Sequence, residues 1–136
     1  MLDSNVWVFY LRGHRDALEL MSVLERISAL IYVHAVIIEE VWRGVMEPRV
    51  RAYFTRALLA PNVRIRTEAV PASLVRKYEA LGLHNGDPLI AAFTEFVNAD
   101  FLITEDENFD VLKHAGGAPF RVMNIAEFLT EFEAFR

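Results

Sequence analysis

The chain has 136 residues, 54% of them hydrophobic, a formal net charge of −5 and no cysteine. That length suits one domain, residues 1–136, burying roughly two-thirds of its surface on folding. A disulfide framework and a thiolate metal site are excluded, no apolar run spans a bilayer, and Met1-Leu2-Asp3 is no signal peptide, so a soluble cytoplasmic protein is expected.

Charge is spread unevenly. Residues 43–66 carry six arginines and one acid, Glu47, whereas residues 79–110 carry eight acids and no Lys or Arg. Such a division lets one region bind cations and another phosphates, or it marks two solvated faces of opposite sign.

In chain order, Leu2-Asp3-Ser4-Asn5-Val6 opens the fold as a short strand. Asp3 falls at or near its C-terminal end, with Ser4 or Asn5 able to cap the helix that follows. Residues 14–30 put Ala17, Leu20, Met21, Leu24 and Ile27 on one helical stripe. Residues 30–33 read as a second strand, and residues 36–46 as a helix carrying Glu39 and Glu40. Pro48 opens the next helix, with Val50, Tyr53, Phe54, Ala57 and Leu58 as its stripe and Arg49, Arg51 and Arg56 on its polar side. Val63-Arg64-Ile65 is a strand. Pro71 starts a helix that turns Leu74, Val75, Tyr78 and Leu81 inward and ends before Gly82.

Residues 86–109, GDPLIAAFTEFVNADFLITEDENF, organise the rest. Asp87 reads as a helix N-cap and Pro88 as the first helical residue. Leu89, Phe93, Phe96 and Val97 form the stripe, Asn98 ends the helix, and Phe101-Leu102-Ile103 is a buried strand. Packing that helix antiparallel on the strand brings Asp87 and Asp106 to the same edge. A short helix to Lys113, a Gly116-Gly117 loop and a last strand over residues 120–123 follow. Asn124-Ile125-Ala126-Glu127 then resembles a capping box, with Ile125, Phe128, Leu129 and Phe132 facing the core.

Strands separated by helices predict a single three-layer α/β/α domain with a mostly parallel central sheet. Parallel strands end on one edge, where ligands bind in open α/β sheets. Asp3, the Glu39/Glu40 helix, Asp87 and Asp106 converge there. Two like charges about 4 Å apart repel by about 1 kcal/mol in water and about 4 kcal/mol at an effective dielectric near 20. A hard cation relieves that repulsion, and oxygen donors without His or Cys suit Mg²⁺ or Mn²⁺. Glu39 and Glu40 flank the apolar arc of their helix about equally, so periodicity does not choose between them. Taken singly, Asp87 could be only a cap, Asp106 only a turn residue and Asp3 only a solvated end. His14, His34, His84 and His114 show no ligand spacing and read as surface or loop residues.

The chain resembles the PIN domain family in four segments that stand in the family's order. They are Leu2-Asp3-Ser4-Asn5-Val6-Trp7-Val8, Ile38-Glu39-Glu40-Val41-Trp42-Arg43, Asp87-Pro88-Leu89-Ile90-Ala91-Ala92 and Leu102-Ile103-Thr104-Glu105-Asp106-Glu107-Asn108-Phe109. The resemblance implies a PIN-like fold and a Mg²⁺/Mn²⁺-dependent ribonuclease, with the VapC-type toxin, its antitoxin protein and a homodimer as the expected setting. Its pattern of an acid, two apolar residues and Arg selects Glu40, with Gly44 leaving room beside it. Asp3, Glu40, Asp87 and Asp106 then become the catalytic metal ligands. Asn5 and Thr104 become the residues that hold those ligands by hydrogen bonds. RNA would approach through its phosphates along Arg43, Arg49, Arg51 and Arg56. Glu105 and Glu107 are extra charges beside Asp106. Three other readings compete. An RNA-processing nuclease of this kind needs no antitoxin. A PIN-like binding module would lack catalysis, although all four acidic positions are filled. A HAD-type phosphotransferase wants a second acid two positions after the first, where Asn5 stands.

Overall fold

The computed structural model of the protein describes residues 1–136 apart from the side chain of Ala115. Its helices are α1 (Ser4–Leu11), α2 (Arg15–Arg26), α3 (Ala35–Gly44), α4 (Pro48–Leu58), α5 (Ala72–Ala80), α6 (Asp87–Phe96), α7 (Val111–Ala115) and α8 (Ile125–Glu131). Its strands are β1 (Ile31–His34), β2 (Val63–Arg66), β3 (Phe101–Ile103) and β4 (Arg121–Met123). This is the expected α/β fold, with most boundaries within a few residues of the sequence reading.

All strand pairing is parallel. β1 runs beside β2 with Ile31 opposite Val63, and β3 runs beside β4 with Phe101 opposite Arg121. Leu2 bridges in parallel to Ile103, through Ile103 N–H to the Met1 carbonyl at 2.9 Å and Asp3 N–H to the Ile103 carbonyl at 3.0 Å. The expected continuous sheet is thus divided among the described residues into two strand pairs, with the opening segment joined to β3. The reason is local: Asp3 turns directly into α1, so only Leu2 is left to bridge. A cavity of about 540 Å³ opens beside Leu2, Ile31, Tyr32 and Phe101, at the edge where the strands begin.

Apolar strand residues anchor the core: Leu2, Ile31, Val33, Leu102, Ile103, Val122 and Met123 are all buried. α6 rests on β3 and packs along α5, while α1 packs against α2, α3 and α4, and α2 packs on α8. Burial on α6 is wider than the expected stripe: Ile90, Ala91, Ala92 and Thr94 are buried together with Phe93, while Leu89 and Phe96 lie only partly buried. Small Ala side chains let neighbouring elements approach on that face. Because the strands within each pair run parallel, His34 and Arg66 fall at the C-terminal edge of one pair, and Asp3, Thr104 and Asn124 at or just beyond that of the other.

Several local expectations change. Asp3, rather than Ser4 or Asn5, caps α1, its Oδ1 accepting Ser4 N–H at 2.8 Å. Asp87 is the first residue of α6 and Gly86 its N-cap, so no capping bond uses the Asp87 carboxylate. His34 is buried rather than on the surface: its Nδ1 accepts the Val36 N–H at 3.2 Å, capping α3, and its Nε2 lies 3.2 Å from the Glu68 carbonyl. The capping box of α8 forms with both of its reciprocal bonds. No described helix is long and apolar enough to cross a membrane.

Candidate active site

The site is built outward from Asp3, a buried carboxylate with 5% of its surface exposed. Its Oδ1 is held by the Ser4 amide, and its Oδ2 accepts the Thr104 hydroxyl at 2.8 Å and, more loosely, the Asn5 amide at 3.4 Å. Thr104 Oγ1 in turn accepts the Asp106 N–H at 3.0 Å, and Asn5 Oδ1 accepts the Glu105 N–H at 3.1 Å. Thr104 and Asn5 therefore tie the end of the first segment to the turn that follows β3. Asp106 Oδ1 accepts the Asn108 N–H at 2.9 Å, which starts the 3₁₀ turn Glu107–Asp110. This Asp-x-Asn turn fixes where Asp106 points.

Helices α3 and α6 supply the other two acids. Glu39 faces solvent and pairs with Arg43 one turn on, both side chains being largely exposed. Glu40 lies on the other side: a Cβ at Gly86 would stand 3.8 Å from its Oε1. Gly86 is therefore a neighbour of Glu40, at a distance where even a Cβ would make only ordinary contact. Gly44 instead neighbours Val8 of α1 and not Glu40. Asp87 follows Gly86 directly, at the positive end of α6.

Electrostatics link the set. The Asp3 carboxyl is pushed up from its ordinary value chiefly by burial, against hydrogen bonds from Thr104 and Ser4, with the charges of Glu40 and Asp106 adding to the rise. Asp87 is raised to about 6, first by desolvation and then by Asp106, Asp3 and Glu40, while the Asn108 side chain opposes. Asp3 thus feels Glu40 and Asp106, and Asp87 feels Asp106, Asp3 and Glu40, which groups the four acids at one site. Glu105 turns elsewhere: its Oε1 accepts the Ile125 N–H at 2.8 Å and supports the start of α8. Glu107 is exposed on the 3₁₀ turn.

Among the described residues no three of His, Cys, Asp or Glu already form a metal-holding group. The donor chemistry nevertheless fits a hard divalent cation, since the cleft offers carboxylates alone and His34 has both ring nitrogens engaged. A model of the PIN domain family matches residues 1–115 of the chain.

The chain belongs to the PIN domain family. No curated protein and no solved structure matches it significantly. PIN domains are in general nucleases and typically bind divalent metals. The four family segments meet at one edge of this fold. The arginines differ in their surroundings: Arg43 pairs with Glu39, while Arg51 donates to the Trp42 and Val45 carbonyls at 2.9 and 2.7 Å and lies over the Trp42 ring. Arg49 and Arg56 are exposed and have no ion-pair partner among the described residues. The sequence reading passes over Gly86 and Asn108. Gly86 carries no pattern of its own, whereas the Asp106-Glu107-Asn108 turn is a signal that could have marked Asn108.

Proposed function

We propose that this PIN domain is a Mg²⁺- or Mn²⁺-dependent endoribonuclease, acting in the cytoplasm as the toxin of a toxin–antitoxin pair. The observation that carries the nuclease reading is the mutual coupling of four carboxylates in one cleft, with Asp3 and Asp87 both pushed above their ordinary values. Asp3, Glu40 and Asp87 would hold the ion directly or through water, and Asp106 would complete that site or a second one. When bound, the ion supplies charge stabilisation at the scissile phosphate and an acidified water. Thr104 and Asn5 keep the Asp3 carboxylate from rotating, and the Asn108 amide does the same for Asp106. Glu39, held out by Arg43, takes no part. Arg49 and Arg56 remain free to meet phosphates, whereas Arg43 and Arg51 would first have to leave their partners.

The toxin setting rests on the resemblance to the family, and the homodimer on that resemblance together with surface chemistry. Trp42 and Met46 around the end of α3, with Tyr53 and Leu59 on and after α4, are 40%, 75%, 42% and 76% exposed. Apolar exposure of this kind marks surfaces that a partner covers. Light scattering should give a dimer, and induced expression should arrest growth in the parent and not in Asp87→Asn. For the reaction itself, labelled RNA is incubated with Mn²⁺ or with EDTA. Cleavage should require the metal and should vanish in Asp3→Asn, Glu40→Gln, Asp87→Asn and Asp106→Asn. Equal cleavage in EDTA would defeat the metal-dependent reading.

A further inference from the structure

A second recess of about 310 Å³ lies beside the acidic cleft, between the α1–α2 turn and the start of α8. Phe9, His14, Arg15, Asp16, Glu105 and Ile125 are among the residues that line it. Its distance from the chemistry is one link: Glu105 N–H bonds to Asn5 Oδ1, and the same Asn5 amide reaches Asp3. The recess is thus tied through Asn5 to the residue at the heart of the acidic site.

The lining has the parts that an unpaired base needs. Phe9 and His14 stack with ring centroids 4.6 Å apart and planes within 10°, which sets two aromatic rings at the recess. Base stacking on such rings is sequence-tolerant. Arg15 is exposed and makes no ion pair among the described residues, which leaves its guanidinium for a phosphate. Glu105 supplies selectivity. Its Oε1 is fixed by the Ile125 N–H at 2.8 Å, which aims the carboxylate and leaves Oε2 without a bond among the described residues. A fixed carboxylate accepts hydrogen bonds and donates none. Adenine, guanine and cytosine each offer it an exocyclic amino group. Uracil has a single N–H flanked by two carbonyls that the carboxylate repels.

We propose that this recess is a base-reading subsite of the RNA-binding surface, in which Glu105 accepts from an exocyclic amino group and disfavours uracil. The proposal rests on the nuclease reading for its substrate but not for its test. The probes are fluorescent octamers of A, C and U, titrated by anisotropy in EDTA so that cleavage does not interfere. The parent should bind the A and C octamers roughly tenfold more tightly than the U octamer, the order expected of one hydrogen-bonded base. Glu105→Gln keeps an oxygen for the Ile125 N–H and adds an amide donor, so the fold should survive and the discrimination against U should disappear. Arg15→Gln should weaken all three octamers alike and lower the salt slope by about one. Equal binding of A, C and U by the parent, or discrimination unchanged in Glu105→Gln, overturns the proposal. Mn²⁺-dependent cleavage, assayed separately, reports on the nuclease reading. Discrimination by base without cleavage would sink that reading and leave the subsite standing.

Discussion

Replacing Asp87 by Asn tests the central physical claim, that the cleft is electrostatically loaded without its ion. The Asp87 carboxyl is raised from 3.8 to about 6 in the folded protein. The folded state therefore holds the proton more tightly than the unfolded chain does. Below the unfolded value the group costs no stability, and the cost grows as pH climbs through about 6. The whole displacement corresponds to about 3 kcal/mol, but Asp87 is only half-buried and water screens its neighbours, which leaves about 1 kcal/mol. For a chain of this size that is about 4 °C in Tm. Asp87→Asn should thus melt about 4 °C above the parent at pH 7.5 in EDTA, with the difference shrinking towards zero near pH 4. Mn²⁺ should reverse the order, since a hundredfold excess over Kd adds about 2.7 kcal/mol to the parent and less to the variant. Calorimetric scans from pH 4 to 8, with and without Mn²⁺, measure all of this. Identical melting at every pH, or an equal gain from Mn²⁺, would refute the reasoning.

Three further outcomes are expected. Glu40→Gln should lose cleavage while Glu39→Gln keeps it, because the Glu39 carboxylate belongs to the surface pair with Arg43; steady-state assays with Mn²⁺ decide, and the reverse pattern would place the ligand on the other side of α3. Thr104→Val should cost about 1–3 kcal/mol in urea unfolding and weaken Mn²⁺ affinity at least tenfold, since it frees Asp3 Oδ2 and orphans the Asp106 N–H. Replacing Arg49 and Arg56 together by Gln should lower the salt slope of RNA binding by about one for each phosphate no longer neutralised, whereas Arg51→Gln should chiefly lower Tm, because Arg51 ties α4 to the end of α3.

What was legible in the sequence follows from periodicity and punctuation. Pro48, the Gly82 turn and the Asn124–Glu127 box each mark a helix end by a local rule, and each end falls there. Parallel order was legible because strands and helices alternate, and it alone brings Asp3, Asp87 and Asp106 to one edge. Less legible were features decided by tertiary contacts. That Asp3 caps α1 depends on where Leu2 docks on β3, which no short window of sequence contains. His34 lacks ligand spacing, yet burial beside Phe93 and the need to cap α3 place it in the core. Arg51 has the composition of a phosphate binder, but carbonyls nine and six residues earlier claim its guanidinium. Glu39 and Glu40 are adjacent, and only the neighbouring Gly86 and the Arg43 pair distinguish their surroundings.

The four carboxylates are not held alike. Asp3 is fixed on both oxygens, and Asp106 is pinned by the turn that starts at Asn108. Glu40 is exposed, Asp87 is opposed only by the Asn108 side chain, and Gly86 at the start of α6 neighbours Glu40. One half of the cleft is thus preorganised and the other half can close on a cation. That division reconciles two observations that otherwise pull apart: the absence of a ready-made metal-holding group among the described residues, and the upward push that neighbouring charges add to burial at Asp3 and Asp87. Locking all four close together would maximise repulsion in the apo fold. Buried Asp3 still feels Glu40 and Asp106, but Glu40 is exposed, so water screens its share of the repulsion.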